Sequence, residues 1–238
     1  MTSPDRNMTS YSAYYEENLY KLQNGVLNIV KELGTPFYLT GGTALSRGYL
    51  NHRYSANLVF FTNNNPSFIK ACDSALKGLK GEGFKIKDDA SNLPYFIRKI
   101  IFAKGMSNPI SIQVDFINDI VVHFGGIINH PSLGRLDNLQ NILTNKLCAV
   151  LERNEARDVI DIWAICKKLD FSWADILREA DMKSESIDSR NISGTILSLP
   201  EKEFDNIKWV SKPLFKDFQN DIETIVRDMD TLGRNSIA

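Results

Sequence analysis

GGTALSRGYLNHRYSANLVFF, residues 41–61, sets a Gly-Gly-Thr turn (Gly41, Gly42, Thr43) ahead of a short helical run, a polar segment carrying His52, Arg53 and Ser55, and an apolar strand. With the extended residues FYLT (37–40) in front, the order is strand, glycine turn, helix, strand. A glycine turn at the head of a helix presents unobstructed main-chain N–H groups, which suit a phosphate. A lone glycine pair is more often only a tight turn. Arg53 adds a guanidinium able to hold a phosphate through two hydrogen bonds, and Ser55 adds a hydroxyl. On the strand, Asn57, Val59 and Phe61 face one way and Leu58 and Phe60 the other.

Upstream, Tyr15, Leu19, Leu22, Val26, Ile29 and Val30 recur at helical intervals, predicting an amphipathic helix from Tyr11 to Leu33 that stops at Gly34 and Pro36. Downstream, SFIKACDSALKGLK reads as a helix, and FKIKD, YFIRKIIFA and ISIQVDFI read as strands separated by GEG, NLP and KGMSNP. In ISIQVDFI the alternation puts Ile110, Ile112, Val114 and Phe116 on one face and Asp115 on the other. Beyond about Pro131 the pattern becomes helical, first across two segments, and residues 183–211 are expected to include a long irregular connection. The expected class is α+β: a mixed sheet flanked by helices, then a helical domain. The expected divisions are residues 1–35 as a packed helix, 36–133 as an α/β domain and 134–238 as a helical domain.

Composition narrows the function. A chain of 238 residues with 43% hydrophobic content can bury a core without staples. A formal charge of -1 argues against coating nucleic acid by bulk electrostatics, so any anion site is local. Cys72, Cys148 and Cys166 are odd in number and sit in apolar or helical contexts, which points to buried thiols in a reducing compartment. His52, His123 and His130 lack zinc-ligand spacing. The N-terminal MTSPDRNMTS has no apolar core, and no stretch nears the roughly 18 apolar residues of a membrane span. The expectation is a cytoplasmic protein without a membrane segment.

The 41–61 stretch resembles the nucleotidyltransferase superfamily that includes DNA polymerase β, and more closely the AbiEii-like abortive-infection toxins of type IV toxin–antitoxin pairs. Their run is GG(S/T), a helix, then HRxSxDLDFF. Gly41, Gly42, Thr43, Ala44, Leu45, His52, Arg53, Ser55, Leu58, Phe60 and Phe61 match it, while Asn57 and Val59 stand where the family has aspartates. The resemblance implies that those aspartates, with a third at Asp115, hold Mg²⁺ ions bridging the triphosphate of an NTP. An Asn carbonyl is a weak ligand for a hard cation and valine is none. Losing one well-placed charge in an active site commonly slows a reaction by roughly 10²- to 10³-fold, so two-metal catalysis is expected to be crippled.

KLCAVLERNEARDVIDIWAI is similar to the family's later motifs, a lysine, an arginine and RDxxD, here Lys146, Arg153, Arg157, Asp158 and Asp161. The resemblance implies catalytic roles for Lys146 and Asp158 and nucleotide binding by Gly41, Gly42, Thr43, Arg53, Ser55 and Arg157. On one continuous helix, Lys146, Arg153 and Arg157 would line a cationic face, and Arg157 and Asp161 could equally form an ordinary i,i+4 pair. Active relatives move a nucleotide from an NTP to an acceptor such as tRNA until an antitoxin silences them. Two readings stay open: a nucleotidyltransferase-family protein with a partner antitoxin, or a silent nucleotide- or RNA-binding module (a pseudoenzyme) on the same fold. As a third possibility, an acid from elsewhere such as Asp119 or Asp158 could join Asp115 in an altered metal site. Asp88 and Asp89 are expected at a strand end, Asp119 in a turn, and Trp163 and Trp173 in the core.

Overall fold

The computed structural model describes residues 11–105, 110–185 and 187–238. The polar decapeptide MTSPDRNMTS, part of the KGMSNP separator and the side chain of Asp89 lie outside the described residues. The chain divides into two compact units. The first comprises Met1–Tyr49, Tyr54–Ile120 and Ile127–Asp137, and the second Leu50–Arg53, Val121–Gly126 and Asn138–Ala238.

The first unit is built on a seven-stranded mixed sheet in the order β3-β4-β5-β2-β1-β7-β6. Its strands are β1 (Tyr38–Thr40), β2 (Leu58–Asn63), β3 (Lys85–Leu93), β4 (Phe96–Phe102), β5 (Ser111–Asp119), β6 (Ile128–His130) and β7 (Gly134–Leu136). β2 runs parallel to β5 and β1 parallel to β7, while the other pairs are antiparallel. The opening helix has a π-helical turn, Tyr15–Leu19, followed by α1 (Tyr20–Glu32); α2 (Gly41–Leu45) continues through a π-helical turn, Ser46–Leu50; α3 is Phe68–Gly81. As the alternation requires, Leu58, Phe60, Ile112, Val114 and Phe116 are buried. Leu22, Val26, Ile29 and Val30 of α1 and Phe68, Cys72, Ala75 and Leu79 of α3 are buried with them. Phe60 and Phe116, register partners on β2 and β5, stack at 5.5 Å and both meet Phe37.

Two expectations change here. The Asp88–Asp89 pair lies within β3 rather than at a strand end, because β3 runs on to Leu93. Asp119 is the last residue of β5, paired in register with Asn63, rather than part of a turn.

The second unit is helical: α4 (Leu139–Arg153), α5 (Ala156–Cys166), α6 (Trp173–Asp181), α7 (Ser189–Leu197), α8 (Glu201–Asp205) and α9 (Phe215–Asp230). Trp163 and Trp173 are buried in it. The stretch 183–211 contains two helices, α7 and α8, beside its irregular segments. Asp188 caps α7 by accepting a hydrogen bond from the Arg190 N–H, and Ile192 and Ile196, one helical turn apart, supply a buried face. Among the described residues no helix is long and apolar enough to cross a membrane.

Candidate nucleotide site

Gly41 follows β1 with φ +68°, a left-handed conformation that glycine adopts without strain, and α2 begins there. Thr40 is extended ahead of it, and no side chain caps the helix start. A Cβ on Gly41 would sit 4.0 Å from Val59, so the turn lies directly against β2. The loop entering β2 is held from two sides. The Thr43 hydroxyl donates to the Asn57 main-chain oxygen at 2.5 Å and shares a 2.8 Å hydrogen bond with Ser55. Gln23, fully buried on α1, donates from Nε2 to the main-chain oxygens of Ser55 and Ala56 at 2.9 and 2.8 Å. Arg47 Nη1 donates to Gln23 Oε1 at 2.9 Å, which fixes the orientation of that amide.

Strand register then lays four residues in a row across the sheet. Thr40 pairs with Val59, Val59 with Asp115, and Asp115 with Arg98. Asp115 is 6% exposed although it points away from the apolar face. Arg98 accounts for this: its Nε and Nη2 donate to the two oxygens of Asp115 at 2.7 and 2.9 Å, and Gln113 Nε2 adds a third bond at 3.0 Å. At the other end of the row, Thr40 Oγ1 donates to Asp137 Oδ2 at 2.6 Å; Asp137 is fully buried.

In the helical unit the remaining motif residues form a second cluster. Asp161 is fully buried and accepts from His52 Nε2, Arg53 Nε and Nη2, and Lys146 Nζ, at 2.9, 2.7, 2.7 and 2.5 Å. Lys146 also donates to Asp158 Oδ1 at 2.6 Å, and Arg153 grips both Asp158 oxygens at 2.7 and 2.9 Å. Burial alone would raise the Asp161 carboxyl, but Arg53 and Lys146 outweigh it and hold it well below the usual carboxylate range. Asp158 is likewise held low against its burial by Lys146 and Arg153. Burial pushes the His52 imidazole down, and its bond to Asp161 only partly opposes this. His52 is therefore the neutral Nε2–H tautomer, and its buried Nδ1 has no hydrogen-bond partner among the described residues.

The geometry corrects the picture of a single cationic helix face. Asn154, at φ 44°, ends α4 in the left-handed conformation, so Lys146 and Arg153 belong to α4 and Arg157 to α5. Nor do Arg157 and Asp161 form an i,i+4 pair. Arg157 is ion-paired with Glu155, and Asp161 turns inward to Arg53 and Lys146. Arg157 lines a cavity of about 730 Å³ with Asn154, Thr195, Ser198 and Glu203. Arg98, Gln23, Arg47 and Asp137 were not among the sequence candidates. Arg98 alone had a local signal, as one of two adjacent cations, with Lys99, in the apolar strand YFIRKIIFA.

The model of the AbiEii nucleotidyltransferase family, toxins of type IV toxin–antitoxin systems, matches residues 28–234. The chain belongs to this family. Two crystal structures share the fold of this AbiEii-family chain. One, a protein from H. pylori provisionally described as a nucleotidyltransferase, is 18% identical with a TM-score of 0.61, covering 91% of this chain and 96% of that one. JHP933 from Helicobacter pylori is 16% identical with a TM-score of 0.61, covering 97% of this chain and 95% of that one. No curated protein matches the sequence at significance.

The family implies NTP chemistry at a divalent metal, and the residues at the positions where the sequence resemblance places that metal do not fit one. Val59 offers no ligand, Asn57 a neutral oxygen, and the Asp115 oxygens are bonded to Arg98 and Gln113. Asp119 stands four residues beyond Asp115 on β5, roughly 13 Å along the strand, too far to share an ion with it. Asp158 is committed to Lys146 and Arg153 within the helical unit. Among the described residues no three or more His, Cys, Asp or Glu side chains form a metal-holding group.

Proposed function

We propose that this AbiEii-family protein binds a nucleotide through the Gly41-Gly42-Thr43 turn without transferring it. The observation that carries the reading is the bidentate clasp of Asp115 by Arg98 beside Val59. The remaining acid of the family's metal-binding set is thereby neutralised within the protein, while the turn keeps its open N–H groups and its anchored Thr43 and Ser55. Family standing supports an antitoxin as partner; an RNA end such as that of tRNA is the second ligand of this reading. Lys146 and Asp158, the family's catalytic candidates, are assigned here to holding α4 and α5 together.

The test incubates the protein with each labelled NTP, Mg²⁺ and total tRNA, and measures nucleotide binding in parallel by calorimetry. No label should reach RNA, while an NTP binds and Gly41→Val, which strains φ +68°, weakens it. Label transfer that Asp115→Asn abolishes would show a working metal centre and overturn the proposal.

A further inference from the structure

We infer that Arg98 is the resident cation of this site, replacing the divalent ion, so that nucleotide phosphate binds there without metal. The inference rests on the nucleotide-binding reading above and deepens it.

Charge balance is the first argument. A set of three carboxylates needs more than one positive charge before it can face a polyphosphate, and metal ions supply it. With Asn57 and Val59 in place the set carries one negative charge, at Asp115, and one guanidinium balances it. Geometry is the second. Arg98 lies opposite Asp115 in the β4–β5 register, and its Nε and Nη2 meet the carboxylate edge to edge. A metal ion approaching that edge would have to displace two charge-assisted hydrogen bonds and then sit beside a fixed positive charge. Access is the third. The Arg98 side chain is 32% exposed, against 9% for Asp115, so the cation and not the anion presents surface to a ligand. The substitutions and the arginine thus form a consistent set: the acids are gone where the ion is gone. Simple loss of the acids around a kept metal site would leave Asp115 without a cation.

The probes are Mn²⁺ alone, followed by its paramagnetic signal, and unlabelled NTPs with either Mg²⁺ or EDTA, followed by calorimetry. The proteins are the natural chain, Arg98→Gln, Arg98→Lys, Asn57→Asp/Val59→Asp, and that double variant with Arg98→Gln added. The natural chain should bind no Mn²⁺ at millimolar levels and should bind NTP equally in Mg²⁺ and in EDTA. Arg98→Gln should weaken NTP roughly ten- to a hundredfold, as expected for losing a charge-assisted contact, and Arg98→Lys should fall between. The double variant should bind Mn²⁺ at least tenfold more weakly than the triple variant, because Arg98 still occupies the Asp115 edge. Mn²⁺ binding by the natural chain, equal Mn²⁺ affinity in the double and triple variants, or NTP binding that requires Mg²⁺ would each overturn the inference. If no NTP binds under any condition, the proposed function fails, and the Mn²⁺ comparison still judges Arg98. The lysine variant guards against misreading a folding defect, since it preserves the charge at a partly exposed strand position.

Discussion

Two clusters in this protein are each built on a motif carboxylate held by arginine, and they differ in what surrounds them. Asp161 is fully buried and saturated by Arg53, Lys146 and His52. Asp115 is gripped by one arginine that remains a third exposed. A charge pair removed from water and fully bonded cannot be opened cheaply, so it acts as architecture. A pair with one partner at the surface can exchange contacts with a ligand. The contrast sets a fully buried, saturated cluster in the helical unit against a partly exposed pair on the sheet.

The largest expected effect falls on the buried cluster. Asp161→Asn leaves Arg53 and Lys146 buried with too little negative charge, and should destabilise the protein by about 3–5 kcal/mol in urea unfolding. A loss below about 1 kcal/mol would mean that the cluster is not structural. Next comes the scaffold of the sheet site. Gln23→Leu strips the amide from the Ser55 and Ala56 carbonyls and from Arg47, and should cost about 1–3 kcal/mol while weakening nucleotide binding. Unchanged binding would detach the loop from the ligand. Asp115→Asn should cost only about 1 kcal/mol or less, because Arg98 can turn to water. A cost matching that of Asp161→Asn would erase the contrast between the clusters.

The smallest effect is a pH slope. The folded His52 imidazole lies below its ordinary value near 6.5, so the unfolded chain takes up the proton first on acidification. Its contribution to stability is complete above about pH 6.5 and is lost as pH falls through the region below it. Asp158 and Asp161 are also depressed, so their contribution is present above about 3.8 and is lost at more acid pH. Melting temperature should therefore decline in two stages, and His52→Gln should flatten the first. An unchanged slope between pH 5 and 6.5 would show that His52 is not the titrating group.

Much of the sheet was legible in the letters. The parity of Leu58 and Phe60 against Val59 follows from a side-chain period of two and the burial agrees, whereas Asp115, opposite in parity to Val114 and Phe116, is buried with them because Arg98 covers it. β6 and β7 were not foreseen: they are as short as β1, but INH and GRL lack the aromatic run and the glycine pair that mark FYLT. Whether Lys146 and Arg157 share one helix stays open in the letters for a different reason: ERNEARD keeps helical composition, and only the left-handed backbone of one asparagine interrupts it.

Local sequence determined most of the element types, the faces of β2 and β5, the glycine turn and the family. Those are matters of periodicity, backbone permissiveness and residue identity, which act over a few neighbours. Tertiary structure alone decided that Arg53 serves Asp161, 108 residues away, and that Arg98 serves Asp115. Such partnerships depend on strand register and on which charges lose water together, and both are set only when distant segments meet.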